Sequence, residues 1–451
     1  MASKIQQGMK KAIFTVVFWM LFFCGLTVDS RAAIYEVGPG KAHQELDQVP
    51  FDDLKPGDQV KIYYRKAPYR SRIVIRRSGT VSQPIVIMGI TDKGKRPVID
   101  GRNAVLFQKW ATMNSGRYLI RIGYDTTADH IHIRDLALGH ANNTEWTFEN
   151  NEKIKYTGNA AGIWIMKGRD ITIANCLIYS CGNGILTWHA PDVSHLTIKN
   201  SIILNNGNHA NPSSDQEHNV YLGAAKTLVE ACYFGKPFAN GQNLKDRGMD
   251  TVIRYNWIEE GNNRQLDLVD YEGYKKADAH VYGNVLIQGA TSQNHNMIHW
   301  GGDGESSRSG TLYLFNNTII GRHPLNRFID VQYADCKVDI RNNIFTGMGT
   351  LWNRVGMIYG SNNWISNQIV CPDGMVLGIR GDFPGFLNSE KKFKYMPLSG
   401  SAVVNMGTAK TPLPVEYMPG LYAGKIKRPV FLGMDIGAFE YSLKMKKIGV
   451  D

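Results

Sequence analysis

A short pattern of alternating apolar residues recurs eight times between positions 162 and 361, with 22 to 35 residues from one copy to the next. In every copy the second residue is aliphatic, and the fourth residue is mostly apolar. Side chains of a strand alternate between its two faces, so the second and fourth residues point one way and the third points the other. The eight copies are 162–166, 184–188, 219–223, 243–247, 265–269, 297–301, 328–332 and 357–361.

This period predicts a solenoid, in which each coil is about 22 residues long and some coils carry insertions. The strands are too short and too widely spaced for hairpins, and no helical pattern separates them. We therefore predict an all-β fold, a single-stranded right-handed parallel β-helix. A recurring Asn followed by an apolar run supports bends that stack from coil to coil. These residues are Asn175, Asn200, Asn256, Asn284, Asn317 and Asn343.

The first 33 residues do not fit the solenoid pattern. Lys10 and Lys11 precede an apolar run that extends to Val28, and small residues follow it at Ala32 and Ala33. This layout is typical of a secretory signal peptide, which predicts a secreted or periplasmic protein with no stable membrane insertion after cleavage. An uncleaved membrane anchor is the alternative.

Three further regions follow the predicted signal peptide. Residues 34–110 are expected to form an N-terminal cap and the first coils, with a short amphipathic helix between His43 and Leu54 covering the apolar end. Residues 111–365 are expected to form the central coils with a groove, and residues 366–451 the C-terminal coils with a closing segment at Asp435 to Glu440.

The balance of charge points to an anionic partner. The chain carries a formal +11, and residues 1–33 account for +3 of it, which leaves +8 on the remainder. The sequence has no basic run interleaved with aromatic residues, so nothing in it indicates nucleic-acid binding. Five Cys residues follow position 33, an odd number without a CxxC pair, so we expect free thiols and no zinc site.

The third residues of the repeats form the predicted outward column. Its ionisable members fall together in the middle coils, whereas a solvated strand face would carry such residues at random. The column is Trp164, Leu186, Tyr221, Lys245, Asp267, His299, Asp330 and Tyr359. Arg247 stands at the fifth position beside Lys245, and the residue before a repeat is His218, Arg264 or Arg327 in three copies. Strands of adjacent coils lie about 4.8 Å apart, so these side chains should form a continuous ladder.

Insertions at 209–217, 271–279 and 301–310 flank the same strands. Long loops on both sides of one strand column would form the walls of a groove, and an extended polymer fits such a groove. We therefore expect a monomer that binds an anionic polysaccharide.

Several motifs resemble the right-handed β-helix, pectate-lyase-like superfamily. They are Leu54 to Val60, Ser78 to Thr80 before Pro84 to Ile87, Ile99 to Gly101, and the closing Asp435 to Glu440. Asn243 to Arg247, followed one coil later by Arg264, is loosely similar to the Lys and Arg pair of family 6 polysaccharide lyases, which cleave alginate or dermatan. The resemblance implies the fold, and for the reaction it implies polysaccharide chemistry in general, because the superfamily includes lyases, hydrolases, epimerases and binding proteins.

The mechanism that these residues favour is β-elimination on a uronic-acid polysaccharide. The C5 proton becomes acidic when the neighbouring carboxylate is neutralised, so cations, a base and an acid are needed together. Arg247 and Arg264 are candidates for the cations, Lys245 or His299 for the base, and Tyr221 or His218 for the acid. Asp267, Asp330, Arg327 and Trp300 are candidate substrate-binding residues.

Other interpretations stay open at this level. Asp267 and Asp330 lie two coils apart, near the upper limit of about 9.5 Å for the carboxylate pair of an inverting glycoside hydrolase. A non-catalytic carbohydrate-binding or surface solenoid would use the same face, with Lys245 and Asp267 as a simple ion pair across coils. The sequence also allows a calcium ion at Asp246, Asp267 or Asp330, although no loop has a calcium signature.

Overall fold

The computed structural model describes residues 32–108, 116–270, 277–302, 308–372, 377–387, 394–429 and 432–441. The chain divides into residues 1–33 and one compact unit, Ile34–Asp451. Apart from Ala32 and Ala33, the predicted signal peptide lies outside the described residues. Within those residues, no helix is both long and apolar enough to span a bilayer.

The compact unit is a parallel β-helix with three sheets, which confirms the predicted fold class. In the central coils, each coil contributes one strand to each sheet, and the strands of successive coils pair in parallel register. Trp146–Glu149 and Glu152–Lys155 of sheet 2 form an antiparallel hairpin. Sheet 1 contains Ile34–Val37, Gln59–Tyr63, Ile85–Ile90, Ile131–Arg134, Gly168–Ala174, Val193–Lys199, Lys226–Glu230, Asp250–Arg254, Asp278–Tyr282, Thr311–Phe315, Lys337–Arg341 and Met357–Ser361.

Sheet 2 contains Ser71–Ile75, Ala104–Leu106, Tyr118–Ile122, Trp146–Glu149, Glu152–Lys155, Ala161–Ile165, Asn183–Thr187, Val220–Leu222, Leu244–Asp246, Leu266–Leu268, Asn296–Trp300, Arg327–Val331, Gly349–Trp352 and Ile369–Val370. Sheet 3 contains Val98–Asp100, Ala137–Gly139, Leu177–Tyr179, Ile202–Leu204, Tyr233–Phe234, Trp257–Glu259, Val285–Gln288, Thr318–Gly321, Ile344–Gly347, Asn363–Ser366 and Gly378–Gly381. Tyr417–Pro419 and Lys425–Lys427 form a separate antiparallel pair.

The predicted repeats 1 to 7 are strands of sheet 2, and their aliphatic second residues line the core. Ile163, Ile185, Val220 and Leu244 pair in sequence along the sheet and are fully buried. The prediction for the eighth repeat was wrong. Its strand, Met357–Ser361, belongs to sheet 1, where Tyr359 pairs with Asp339. The sheet 2 strand that follows the seventh repeat is Gly349–Trp352, in which Trp352 pairs with Ile329, so the alternating run at 357–361 falls one sheet further on.

The recurring Asn residues occupy two different positions of the turn between sheets 1 and 3. Asn175 and Asn200 adopt left-handed backbone conformations, with φ of 51° and 52°. The other four are each one residue further along and form a buried side-chain ladder, which Asn363 extends. In this ladder Asn317 Nδ2 donates to Asn343 Oδ1 at 2.9 Å, and Asn317 Oδ1 accepts from the Asn284 backbone at 3.0 Å.

We predict that Asn317→Ala lowers the free energy of unfolding by about 3–5 kcal/mol, because it leaves buried partners unsatisfied and opens a cavity. Chemical denaturation measures this change. Asn200→Gly is the matched control, since Asn200 is exposed and glycine accepts its positive φ, so its effect should stay within about 0.5 kcal/mol. Equal effects of the two changes would contradict a structural ladder.

The two ends of the solenoid are covered in different ways. At the N-terminus the predicted helix between His43 and Leu54 is replaced by two short 3-10 turns, Leu46–Gln48 and Phe51–Asp53, because Pro50 interrupts the segment. Leu46 and Phe51 still bury their side chains in the core. Near the C-terminus, the closing segment lies along the coils, where Asn316 Nδ2 donates to the Asp435 carbonyl at 3.3 Å.

The five cysteines of the described residues are free thiols, as predicted. Cys176, Cys181, Cys232 and Cys336 are buried, and Cys371 is half-buried. Burial raises the pKa of the Cys176 and Cys232 thiols to about 12, so both remain protonated and unreactive at neutral pH.

Candidate functional site

The outward column predicted from the sequence exists on sheet 2. Tyr221, Lys245, Asp267, His299 and Asp330 are direct neighbours on successive strands, each paired in register with the next. Seven third positions are in register: the first two are Trp164 and Leu186, and the remaining five are ionisable. We call Tyr221, Lys245, Asp267 and His299, together with Arg247 and Arg264, the sheet 2 cluster.

Asp267 is at the centre of the cluster and is fully buried. Lys245 Nζ lies 3.2 Å from its Oδ2, and Arg264 donates to its Oδ1 at 3.2 Å. His299 Nδ1 also donates to Oδ1, at 2.8 Å, and the side-chain amide of Gln242 donates to Oδ2 at 3.3 Å. One carboxylate thus holds four side chains of three successive coils in fixed positions.

Burial on its own would raise the pKa of Asp267, because a low dielectric disfavours the charged carboxylate. The hydrogen bond from His299 and the positive charges of Lys245 and Arg264 outweigh burial and hold the pKa below its usual range. Asp267 therefore stays ionised at all ordinary pH values. It cannot act as the proton donor of an inverting hydrolase.

The members of the cluster differ in how far solvent reaches them. The side chains of Lys245 and Arg264 are 11% and 19% exposed, whereas those of His299 and Asp267 are 3% and 0% exposed. Lys245 and Arg264 can therefore touch a polymer in the groove. His299 and Asp267 lie behind them and support them.

Tyr221 and Arg247 form the second half of the cluster, with Arg247 one coil before Asp267 and Tyr221 two coils before it. Arg247 Nε donates to the Tyr221 hydroxyl at 2.9 Å, and its Nη1 donates to the Asp270 carbonyl at 2.6 Å. His218 is buried and packs edge-on against the Tyr221 ring, with 5.3 Å between ring centroids. His218 therefore positions Tyr221, and its burial does not suit the predicted role of a proton donor to substrate.

Asp330 and Arg327 lie at the far end of the column and are less buried. Arg327 Nη1 is 3.0 Å from Asp330 Oδ1, and Asn296 donates to Asp330 Oδ2 at 2.7 Å. This group remains separate from Asp267 because His299 stands between them.

Two predicted site residues face the core. Trp300 is fully buried, with the guanidinium of Arg308 5.0 Å from its ring, so it cannot stack on a sugar in the groove. Asp246 is also fully buried, where Thr251 and Arg308 contact its carboxylate. Both occupy inward positions of their strands, and the prediction had overlooked the alternation for them.

The three carboxylates considered for calcium do not converge on one point. Asp246 faces inward, Asp267 is surrounded by cations, and Asp330 is bound by Arg327 and Asn296. In the described parts of the chain, no three or more His, Cys, Asp or Glu side chains form a group able to hold a metal ion.

Sequence reasoning missed Gln242 and Gln332, which contact Asp267 and His299. Gln332 Oε1 lies 3.3 Å from His299 Nε2. Both residues stand at strand ends, outside the third position of the repeat. Gln242 directly precedes its repeat, as His218, Arg264 and Arg327 precede theirs. Gln332 does occupy the fifth position, as Arg247 does, and that shared position was the available hint.

The outer face of sheet 2 continues towards the N-terminal coils. A pocket of about 340 Å³ there is lined by the exposed Trp188 ring, together with Trp164, Arg117 and Lys167. The Arg117 guanidinium lies 4.7 Å from the Trp164 ring. Of the predicted wall loops, residues 271–276 and 303–307 lie outside the described residues.

His189 follows Trp188, which lines this pocket, and its protonation leads to a prediction about how stability depends on pH. Burial, with the charge of Arg247 added, lowers the pKa of His189 to about 4. The unfolded chain binds a proton near pH 6.5, so this stabilisation is complete above that pH and is lost as pH falls towards 4.

The wild-type protein should lose unfolding free energy between pH 7 and pH 4.5. We expect this loss to be about 1–2 kcal/mol smaller in His189→Gln, a value discounted for the partial exposure of the ring. Urea denaturation of both proteins at the two pH values measures this. Identical losses in the two proteins would contradict a neutral, buried His189.

Comparisons with known proteins agree with the fold. Residues 136–290 match the family model described as a right handed beta helix region, which confirms the handedness. None of the curated proteins compared with this chain is significantly similar in sequence.

Among solved structures, the chain is similar to the pectate lyase Pel9A, with a TM-score of 0.50 and 13% identity over 91% of this chain and 96% of that one. It is also similar to an alginate lyase from Paenibacillus sp. str. FPU-7, with a TM-score of 0.44 and 14% identity over 69% and 94% of the two chains. For a GH136 lacto-N-biosidase from Eubacterium ramulus, the TM-score is 0.35 and the sequence identity is 11%, over 75% of this chain and 68% of that one. At these identities the likeness concerns the fold, and Pel9A alone of the three is similar enough to support it.

Proposed function

We propose that this protein is a lyase that cleaves a uronic-acid polysaccharide by β-elimination in the groove over sheet 2. The observation that carries the proposal is the arrangement of solvent-reachable Lys245 and Arg264 around the buried carboxylate of Asp267, with Arg247 and Tyr221 bonded to each other on the two preceding coils. Lys245, Arg264 and Asp267 together carry one net positive charge. They suit a bound carboxylate.

The first requirement of the reaction is to neutralise the uronate carboxylate, because its negative charge opposes removal of the C5 proton. Lys245 is an ammonium in its ion pair with Asp267, and Arg264 presents a guanidinium from the next coil. Arg264 Nε is buried and has no hydrogen-bond partner among the described residues. A substrate carboxylate between Lys245 and Arg264 would contact both charges.

The second requirement is a group that takes the C5 proton. Tyr221 faces the groove, and the guanidinium of Arg247 donates to its oxygen and holds it in position. The sequence-based alternatives are less suitable, because Lys245 is held as an ammonium and the side chain of His299 is 3% exposed. Tyr221 is therefore the proposed proton acceptor.

The electron balance of the step is that of an elimination. The Tyr221 hydroxyl first gives its proton to solvent. The proton at C5 then passes to the phenolate oxygen, and the electron pair of the C5–H bond forms the C4–C5 double bond. The C4–O bond breaks, and its electron pair leaves on the glycosidic oxygen, which takes a proton from Tyr221 or from solvent. No oxidant, reductant or second substrate is consumed.

The same proposal extends to partner and location. An anionic polysaccharide is the proposed partner, in keeping with the +8 charge of the chain after residue 33. Such polymers lie outside the cytoplasm, as the predicted signal peptide also requires, so we propose a secreted or periplasmic protein.

The test is to incubate the purified protein with polygalacturonate, alginate, hyaluronan and the rhamnogalacturonan backbone while ultraviolet absorbance and new reducing ends are followed together. We expect both signals to rise on at least one polymer. Tyr221→Phe should lower kcat by about 10³-fold with little change in KM, since the phenol oxygen acts in the transition state only. Lys337→Ala, an exposed lysine on sheet 1, should be unaffected. Reducing ends without absorbance would identify a hydrolase and contradict the proposal.

A further inference from the structure

A polar pocket of about 560 Å³ opens beside the sheet 2 cluster, next to the first residues of the sheet 2 strands in the middle coils. Six carboxamide side chains line it: Asn240, Asn262, Asn263, Gln293, Asn294 and Asn296. A carboxamide presents both a donor and an acceptor, so such a lining matches the hydroxyl groups of a sugar. The sequence pattern did not single these residues out, because they precede the repeats.

One of these side chains points to a missing ligand. Asn263 is 8% exposed, and its Oδ1 has no hydrogen-bond partner among the described residues. A buried acceptor without a partner is costly, and native structures keep few of them. A hydroxyl donor bound in the pocket would satisfy this oxygen.

Other carboxamides of the pocket are already held in place. Asn240 Nδ2 donates to Gln293 Oε1 at 2.7 Å, and Asn296 Nδ2 donates to Asp330 Oδ2 at 2.7 Å. Side chains fixed in this way lose little conformational freedom when a ligand binds. The lining is therefore preorganised for hydrogen bonding.

The charges around the pocket exclude a second uronate. The one cation among the described lining residues, Arg327, is paired with Asp330 at 3.0 Å, and Asp215 adds a carboxylate to the wall. An anionic sugar here would meet Asp215 without an unpaired cation to balance it. This contrasts with Lys245 and Arg264, which carry a net positive charge around Asp267.

The pocket and the cluster are contiguous along the chain. Asn263 immediately precedes Arg264, which contacts Asp267, and Asn296 begins the strand that carries His299. A polymer with its uronate at the cluster would thus place a neighbouring sugar in the pocket.

We infer that this pocket binds a neutral, hydroxyl-rich sugar residue next to the uronate at which the bond is broken. The inference rests on the proposed function and narrows it, since the substrate becomes a heteropolysaccharide with uronate and neutral sugars rather than a polyuronate. The neutral sugar belongs either to the main chain or to a side branch.

The test compares polygalacturonate, which contains uronate only, with the rhamnogalacturonan backbone, in which galacturonate alternates with a neutral sugar. We expect kcat/KM to be at least about 100-fold higher on the alternating polymer. Asn263→Ala should lower kcat/KM on that polymer by about 10- to 100-fold and leave any turnover of polygalacturonate unchanged. Asn240→Ala, a half-buried change, provides a second variant should Asn263→Ala fail to fold.

The matched control is Asn367→Ala, which removes an exposed carboxamide from the last turns and should change neither activity. Branched and enzymatically debranched rhamnogalacturonan separate the two sources of the sugar, because a branch-binding pocket would favour the branched form. Equal kcat/KM on both polymer types, with no effect of Asn263→Ala and Asn240→Ala, would overturn the inference.

Failure of the proposed function gives a different result. If no polymer yields unsaturated ends, retention of the protein on rhamnogalacturonan in affinity electrophoresis decides the inference alone. Weaker retention of Asn263→Ala and Asn240→Ala than of Asn367→Ala would support a neutral-sugar pocket, and equal retention would overturn it.

Discussion

Lys245→Ala is expected to lower kcat/KM on the cleaved polymer by about 10³-fold or more, equivalent to about 4 kcal/mol of lost transition-state stabilisation. The ammonium is placed to neutralise the uronate carboxylate, whose charge builds up further as the C5 proton leaves. Steady-state kinetics of the wild type and the variant measure the loss. Circular dichroism shows whether the fold persists without this side chain.

Lys245→Arg separates the two roles that a lysine can have at this position. Arginine keeps the positive charge and the pairing with Asp267, but it does not deprotonate in proteins. We therefore expect Lys245→Arg to retain activity within about 10- to 100-fold of the wild type. An arginine variant as inactive as the alanine variant would show that Lys245 is the base and that Tyr221 is not.

The second large effect is expected for Asp267→Asn, which should reduce both stability and activity. The carboxylate is fully buried between Lys245, Arg264 and His299, and breaking a buried pair costs about 3–5 kcal/mol. The two cations would also lose the contacts that fix their positions. Chemical denaturation at pH 7 measures the stability, and kinetics measure the activity.

Asp330→Asn is the control for Asp267→Asn, since the side chain of its partner Arg327 is 43% exposed and the pair should contribute about 1 kcal/mol or less. The pH dependence gives an independent check. The pKa of Asp267 in the folded protein lies below its value of about 3.9 in the unfolded chain. Its contribution to the free energy of unfolding is therefore present above the unfolded pKa and is lost as pH falls through the lower folded pKa. Equal destabilisation by the two substitutions would contradict a central role for Asp267.

The fold was predictable because the repeat specifies which face of each strand is buried. Neighbouring residues such as Ile163 and Trp164, or Leu244 and Lys245, face opposite sides of a strand. The alternation therefore identifies the inward and the outward side without knowledge of the turns. The error at Tyr359 shows the limit of this reasoning. An alternating run identifies a strand, but in a three-sheet coil it does not identify the sheet when the coil length changes.

The site was predictable in part for the same reason. The third positions gave the ladder from Tyr221 to Asp330, whereas Trp300 and Asp246 were placed in the site by residue type although their positions face the core. Exposure could not be derived from the pattern either. His299 and His218 stand at the expected places, yet packing of neighbouring side chains buries them.

The amide pocket could not be predicted, because the residues that line it lie in turns and an insertion. Asn263 and Asn296 come together only once the coils are stacked, and Asp215 approaches from the loop before His218. Sequence spacing in such segments says little about distance.

The central claim is that the bond is broken by elimination. Its most direct test is mass spectrometry of the products after cleavage in water enriched with a heavy oxygen isotope. The account predicts a new non-reducing end that is lighter by one water than a hydrolysis product, and no heavy oxygen at the new reducing end. Incorporation of heavy oxygen with no unsaturated end would show that water attacks the glycosidic bond, and it would contradict the account.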